Sequence, residues 1–181
     1  WSAAAERHPE LAKRLRVTIG WDDEILEDAL ETADFMITQY PPRERLSERA
    51  PRLRWIQTTG AGIDQLMPLD WLPSNITLTN NRGAHGRKAE DSCTLAMLAI
   101  HMGYPEVIRN QGEHRWQMVL TPPIAGRTAV VIGFGDLGQG AGRAAAKLGL
   151  HVIAVTRSGK ADALADECYP AARIDEALPR A

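Results

Sequence analysis

"VVIGFGDLGQG", residues 130–140, decides the fold of this 181-residue chain. Its three glycines follow the order Gly-x-Gly-x-x-Gly: Gly133, Gly135 and Gly138. The apolar, β-rich run "TAVVI" (128–132) precedes this stretch, the helix-like run "GQGAGRAAAKLG" (138–149) overlaps its end, and the apolar run "HVIAV" (151–155) comes next. A strand, a glycine turn, a helix and a second strand in this order are typical of a dinucleotide-binding βαβ unit.

Each glycine of the turn has a physical reason in that interpretation. Gly133 allows the tight turn, Gly135 has no Cβ to keep the backbone away from a pyrophosphate, and Gly138 lets the helix pack closely on the strand. The backbone amides of Asp136 and Leu137 would then point from the helix N-terminus at phosphate oxygens. The alternative is a tight turn that binds nothing, because a chain with 15 glycines can contain the motif by accident.

The rest of the chain alternates short β-rich runs with helix-like segments. The β-rich runs predict strands at 15–21, 34–38, 53–59 and 76–80. Apolar spacing and composition predict helices at 2–15, 22–33, 87–104, 105–116 and 172–181, and a short helix within 41–53 that is broken at Pro51. Strands that alternate with helices favour parallel pairing, so we predict an α/β fold with two Rossmann-like parallel-sheet domains. A single larger sheet is the alternative.

Composition excludes several functional classes. The chain carries 21 Lys and Arg against 23 Asp and Glu, which leaves no basic excess for binding nucleic acid. No apolar run approaches the roughly 20 residues that span a bilayer. Cys93 and Cys168 lack disulfide or metal-ligand spacing, and no pair of histidines has it either. These observations predict a soluble, cytoplasmic protein with no metal, no nucleic-acid partner and no membrane partner.

Four segments resemble the D-isomer-specific 2-hydroxyacid dehydrogenase family in its order and spacing. They are "LRWIQTTGAGIDQL" (53–66), "NNRGAHGRKAEDSCTLAMLAI" (80–100), "HRWQM" (114–118) and "IAGRTAVVIGFGDLGQGAGRAAAKLG" (124–149). The resemblance implies a flavodoxin-like substrate domain, N-terminal part, at residues 1–83. It implies the first half of an NAD(P)-binding Rossmann domain at residues 84–181, opened by an interdomain helix at 87–104. Both domains would be incomplete.

The resemblance also implies an activity. The family, which includes glyoxylate and hydroxypyruvate reductases, transfers a hydride between NAD(P)H and C2 of a small 2-keto or 2-hydroxy acid. Its substrate carboxylate binds to backbone amides that match Ala61 and Gly62, although from the residues alone this loop is an ordinary glycine turn. The family's catalytic Arg, Glu and His would lie beyond Ala181, so we expect no catalytic residue in this chain and no turnover by the chain alone.

Two other classes stay open beside this enzyme. One is a dinucleotide-sensing regulator of the same fold without enzymatic activity, and the other is a different Rossmann dehydrogenase. The resemblance further implies a homodimer that pairs through the cofactor domain.

The end of the second cofactor strand predicts the cofactor. In NAD-preferring enzymes an acidic residue ends this strand and binds the ribose hydroxyls. Here that position is Thr156, and Arg157 and Ser158 follow it. Hydroxyl and guanidinium donors suit the 2′-phosphate of NADP, so we predict that NADP is preferred over NAD. The alternative is that Arg157 only stacks on the adenine.

Overall fold

The computed structural model describes residues 1–21 and 23–181. Contacts between residues divide the chain into two compact units, Trp1–Asn81 and Arg82–Ala181. Each unit has its own three-stranded parallel sheet and its own hydrophobic core.

The sheet of the first unit has the strand order β1-β2-β3. Its strands are β1 (Phe35–Thr38), β2 (Trp55–Thr58) and β3 (Thr77–Thr79). The helices of this unit are α1 (Ser2–Arg7), α2 (Pro9–Ala12), α3 (Asp23–Leu30) and α4 (Leu46–Arg49). Two 3₁₀ turns, Asp64–Leu66 and Leu69–Trp71, lie between β2 and β3.

The core of the first unit lies on one face of its sheet. Leu30 of α3, Leu46 of α4 and Ile56 of β2 are buried there in one cluster. Because side chains alternate between the faces of a strand, the other face carries Phe35 and Ile37, which are 51% and 72% exposed. Within this unit the sheet is therefore covered on one side.

The second unit has the strand order β4-β5-β6. Its strands are β4 (Thr128–Ile132), β5 (His151–Thr156) and β6 (Glu167–Pro170). Its helices are α5 (Gly86–His101), α6 (Tyr104–Gly112), α7 (Asp136–Lys147) and α8 (Ile174–Ala177). Val152 and Ala154 of the central strand β5 pack into one core cluster, and Ile153 and Val155 pack into another. Burial on both faces is typical of a central strand in a parallel sheet with layers on either side.

These two sheets confirm the predicted α/β fold class. The predicted strands at 34–38, 53–59, 76–80, 128–132 and 151–155 are all present, with ends shifted by at most two residues. The alternative of one larger sheet is wrong.

Two strand predictions were wrong, one by excess and one by omission. Residues 15–21 form no strand, and the side chains of Val17 and Ile19 are 42% and 60% exposed. A β-rich run forms a strand only where a neighbouring strand pairs with it, and this run has no such neighbour among the described residues. Strand β6 was not predicted, because its four residues begin with Glu167 and end with Pro170, both poor strand formers.

The long helix predicted at 87–104 is shorter than expected. It ends at His101, Gly103 adopts a left-handed conformation with φ of 65°, and Pro105 lies in the first turn of the next helix, α6. A left-handed glycine ends a helix and proline suits a helix start, so the sequence change at these residues separates two helices. The helix predicted at 22–33 is present as α3, and residue 22 lies outside the described residues.

Across residues 1–21 and 23–181, every helix is too short or too polar to cross a membrane.

Candidate functional site

The glycine turn lies at the carboxyl ends of β4 and β5. Ile132 pairs with Val155 in the parallel ladder, and the amide of Gly133 donates to the carbonyl of Val155 at 2.8 Å. Gly133 has φ of 84°, which only glycine adopts readily, and it turns the chain toward α7. Helix α7 begins at Asp136 with Gly135 as its N-cap. The amides of the first turn of α7 therefore lie at this edge of the sheet.

Packing within the protein requires a glycine at position 138 but not at position 135. A Cβ on Gly138 would lie 1.9 Å from the carbonyl oxygen of Gly133, a distance at which the backbone must move. A Cβ on Gly135 would meet no atom of the described residues within 4 Å. Gly138 is thus required by the contact between helix and turn, whereas the space beside Gly135 is open.

The residues predicted to bind the cofactor ribose lie at the neighbouring strand end. Thr156 is the last residue of β5, and its Oγ1 accepts a hydrogen bond from the amide of Gly159 at 2.9 Å. This bond folds the following residues into a turn, on which Arg157 and Ser158 are exposed. The structure therefore brings the glycine turn and the 156–158 segment together at adjacent ends of β4 and β5.

A half-buried carboxylate, that of Glu90, connects α5 to α7. Glu90 accepts hydrogen bonds from Lys147 at 2.5 Å and from Arg143 at 2.9 Å, and its side chain is 14% exposed. These bonds, with that from Lys147 the larger cause, hold the pKa of Glu90 below its usual value. A Cβ on Gly140 would lie 2.7 Å from the carbonyl oxygen of Gly86, so the two helices approach closely. Sequence reasoning missed this contact, because the charges come from segments far apart in the chain.

The predicted substrate residues lie in the loop after β2. Within the first unit this loop runs from Thr59 to the 3₁₀ turn at Asp64–Leu66. Ala61 is half-buried and Gly62 is exposed. Among the described residues, the amides of Gly60, Ala61 and Gly62 donate no hydrogen bond. The carbonyl oxygens of the same three residues all accept hydrogen bonds.

A separate charged cluster lies at the amino ends of β5 and β6, at the edge away from the glycine turn. Glu167 accepts hydrogen bonds from Arg180 at 2.5 and 2.6 Å and pairs with His151 Nε2 at 2.8 Å. The hydroxyl of Tyr169 donates to the same carboxylate at 3.1 Å. The Arg180 bonds are the largest cause and the His151 bond the next in lowering the pKa of Glu167 to about 2. Among the described residues, no group of His, Cys, Asp and Glu side chains could hold a metal ion.

A family model matches the second unit over most of its length. Residues 94–181 match the model described as D-isomer specific 2-hydroxyacid dehydrogenase, NAD binding domain. A curated relative, "Uncharacterized protein in mprR 3'region" of Streptomyces coelicolor, is 29% identical over 115 residues. That match covers 60% of this chain and 38% of the relative.

Solved structures of the same family resemble between 77% and 99% of the chain. A D-isomer specific 2-hydroxyacid dehydrogenase family protein from Aeromonas salmonicida is 26% identical with a TM-score of 0.80, over 99% of this chain and 58% of that one. An NADPH-dependent glyoxylate/hydroxypyruvate reductase from Sinorhizobium meliloti, in complex with NADP and sulfate, is 27% identical with a TM-score of 0.70, over 88% and 50%. A D-isomer specific 2-hydroxyacid dehydrogenase from Xanthobacter autotrophicus, in complex with NADPH and MES, is 28% identical with a TM-score of 0.64, over 77% and 44%.

The family model and these structures confirm the predicted resemblance to the D-isomer specific 2-hydroxyacid dehydrogenases. The chain spans about half the length of the solved structures that it resembles.

Proposed function

We propose that this chain, a relative of the D-isomer specific 2-hydroxyacid dehydrogenases, is part of an NAD(P)-dependent oxidoreductase. Its reaction would transfer a hydride between the cofactor and a small 2-keto or 2-hydroxy acid of the glyoxylate or hydroxypyruvate type. The observation that carries the proposal is the glycine turn at the adjacent ends of β4 and β5, within the segment that matches the family's NAD-binding domain. The similarity to a glyoxylate/hydroxypyruvate reductase supports the substrate class.

The glycine turn is the proposed site for the cofactor pyrophosphate. The amides of Asp136 and Leu137 lie in the first turn of α7, where backbone N–H groups and the helix dipole favour an anion. Gly133 turns the chain and Gly138 brings the helix close to it. No atom of the described residues requires a glycine at position 135, so we infer that the open space beside it receives a phosphate group. The bound cofactor would supply the hydride from its nicotinamide, and these residues would hold the cofactor by its pyrophosphate.

The end of β5 is the proposed site for the 2′-phosphate of NADP. The oxygen of Thr156 already accepts from the amide of Gly159, so its hydroxyl hydrogen is left to donate to a ligand. Arg157 and Ser158 are exposed on the same turn and add a guanidinium and a second hydroxyl. NADP and NADPH in two similar structures also support this preference.

The loop after β2 is the proposed site for the substrate carboxylate. Its amides at Ala61 and Gly62 have no acceptor among the described residues, and an anion would satisfy them. The charge-assisted bonds from backbone amides to a carboxylate suit a 2-keto acid.

The wider assignments are part of the same proposal. Residues 1–83 would form the N-terminal part of the substrate domain, and residues 84–181 the first half of the cofactor domain. The second unit exposes Leu95, Ile100 and Trp116 by 71%, 73% and 91%. The family resemblance implies a homodimer, and we propose that these exposed apolar side chains contribute to its interface. We expect it to be cytoplasmic, with no nucleic-acid or membrane partner.

Cofactor binding to the purified chain tests the proposal. We expect calorimetric titration to give a Kd for NADPH at least about tenfold below that for NADH, because a hydrogen bond to a charged group contributes roughly 1.5–3 kcal/mol. The variant Thr156→Asp/Arg157→Ala should lose most of this preference, because the carboxylate repels the 2′-phosphate and the guanidinium is gone.

The matched control is Arg127→Ala. Arg127 is also exposed but directly precedes β4, at the opposite edge of the sheet. Equal affinities for the two cofactors in the wild type, or an unchanged ratio in the double variant, would contradict the NADP assignment. A chain that binds neither cofactor would contradict the dinucleotide site itself.

A further inference from the structure

We propose that Asn80 and Asn81, directly after β3, are positioning residues that orient the amides of the loop Thr59–Gly62 toward an anion. The inference rests on the proposed function, in which this loop holds the substrate carboxylate. It identifies the side chains that give the loop its binding conformation, and these residues belong to another part of the sequence.

The two asparagines hold three consecutive carbonyl groups of the loop. Asn80 Nδ2 donates to the carbonyl of Ala61 at 2.6 Å. Asn81 Nδ2 donates to the carbonyl of Thr59 at 3.2 Å, and the backbone amide of Asn81 donates to the carbonyl of Gly60 at 3.0 Å. The end of β3 therefore binds one side of the loop along its length.

Planarity of the peptide bond turns these contacts into an orientation for the amides. The carbonyl of one residue and the N–H of the next belong to the same trans peptide plane and point in opposite directions. The bond from Asn80 to the carbonyl of Ala61 therefore directs the N–H of Gly62 away from β3. In the same way, the bond from Asn81 Nδ2 to the carbonyl of Thr59 orients the N–H of Gly60. The bond from the backbone amide of Asn81 to the carbonyl of Gly60 orients the N–H of Ala61.

The neighbouring residues complete the set of held carbonyls. Gln57 Nε2 donates to the carbonyl of Thr58 at 2.8 Å, and Gln65 Nε2 donates to the carbonyl of Gly62 at 3.3 Å. Thr58 Oγ1 gives a second bond to the carbonyl of Gly60, at 2.8 Å. All five carbonyl oxygens from Thr58 to Gly62 are occupied in this way.

The same loop leaves its donors open. The amides of Gly60, Ala61 and Gly62 have no acceptor among the described residues, and these residues are half-buried or exposed, so a ligand can reach them. Successive N–H groups that point to the same side form a concavity that binds anions. Occupied carbonyls and open amides together describe a surface that accepts a carboxylate and repels a cation.

The proposed role requires a side chain at position 80 that donates a hydrogen bond and carries no charge. A leucine there removes the donor to the carbonyl of Ala61, and an aspartate replaces the donor with an acceptor and adds a negative charge beside the anion. A merely structural asparagine would stabilise the fold without changing which amide responds to an anion. The test therefore has to follow individual amides.

We would titrate the ¹⁵N-labelled 181-residue chain with oxalate and follow the amide signals of Gly60, Ala61 and Gly62. In the wild type we expect saturable shifts at all three amides. Asn80→Leu should reduce the shift chiefly at Gly62, Asn81→Ala should reduce it chiefly at Gly60, and each should raise the Kd for oxalate about five- to tenfold, as the loss of one hydrogen bond implies. Asn80→Asp should raise the Kd further.

The control is Asn75→Leu, since Asn75 is an exposed asparagine just before β3 in the same unit. It should leave the oxalate titration unchanged. Thermal unfolding of every variant checks folding, and if Asn80→Leu does not fold, Asn80→Asp and Asn81→Ala decide the question.

The outcomes separate the inference from the proposed function. If oxalate shifts the loop amides equally in the wild type and in both asparagine variants, the positioning role is overturned and the carboxylate site stands. If oxalate shifts no loop amide in the wild type, both the carboxylate site and the positioning role are overturned. The cofactor site is then still tested independently by the NADPH titration.

Discussion

Two loops of this molecule follow parallel strands at their carboxyl ends and expose backbone amides, but they are held in different ways. The turn after β4 is shaped from within, by the positive φ of Gly133 and the close approach of Gly138 to it. The loop after β2 is shaped from outside, by side chains that bind its carbonyls, chiefly Asn80 and Asn81. A site of the first kind is encoded in a few consecutive residues, whereas a site of the second kind is encoded in two separate segments.

The largest effect should come from an added methyl group within the glycine turn. Gly138→Ala places a Cβ 1.9 Å from the carbonyl oxygen of Gly133, which is a backbone atom, so one of the two backbone segments has to shift. Overpacking of this kind costs about 1–3 kcal/mol or more. We expect the Tm to fall by roughly 5–20 °C and NADPH binding to be lost, as thermal unfolding and calorimetry would measure.

The matched partner of this variant is Gly135→Ala. Its Cβ meets no atom of the described residues and its φ of −79° suits alanine, so the Tm should stay within a few degrees of the wild type. NADPH binding should still weaken by at least about tenfold, because the methyl group occupies the space proposed for the phosphate. If both variants lowered the Tm equally, the distinction between a packing glycine and a ligand glycine would be wrong.

The contrast between the two loops also explains how far sequence reasoning could go. The strands 128–132 and 151–155 and the glycine turn could be predicted, because apolar runs and glycine positions are local signals. The asparagine contacts and the bond between Glu90 and Arg143 could not, because each pairs residues that only the fold brings together. The strand predicted at 15–21 was wrong for the same reason, because strand formation depends on a neighbouring strand that β propensity does not reveal.

A methyl group added to the loop after β2 should have a smaller effect than one added to the glycine turn. In Gly60→Ala the added Cβ would lie 2.6 Å from Oε1 of Gln39, which is the end of a flexible side chain and can move aside. The movement breaks the bond from Thr59 Oγ1 to Gln39, 3.0 Å long, so we expect a loss of about 1 kcal/mol in a urea-unfolding experiment.

Gln39→Ala should remove the penalty of Gly60→Ala. The double variant should then be no less stable than Gln39→Ala alone, because the side chain that the methyl group displaces is already absent. A loss for Gly60→Ala as large as that for Gly138→Ala would contradict the idea that this loop is held by adjustable side chains.

The smallest effect concerns the opposite edge of the second sheet, where charge rather than backbone shape holds the strand ends. Hydrogen bonds from Arg180, and then His151, lower the pKa of Glu167 to about 2, below its usual value of 4.5. A carboxyl group with a lowered pKa in the folded state stabilises the fold above its ordinary pKa, and this contribution is lost as the pH falls toward the folded value. Between pH 5 and pH 2.5 the urea midpoint of the wild type should therefore fall more than that of Glu167→Gln, which has no carboxylate to protonate.

His151 also faces Asp166, so the comparison with Glu167→Gln is needed to isolate the Glu167 contribution. At pH 7 the same variant should bind NADPH as the wild type does, because this cluster lies at the amino ends of β5 and β6 and the proposed cofactor site lies at the carboxyl ends. Equal falls in the two midpoints would show that the Glu167 cluster contributes nothing to acid stability, and weaker NADPH binding would show that the two edges of the sheet are coupled.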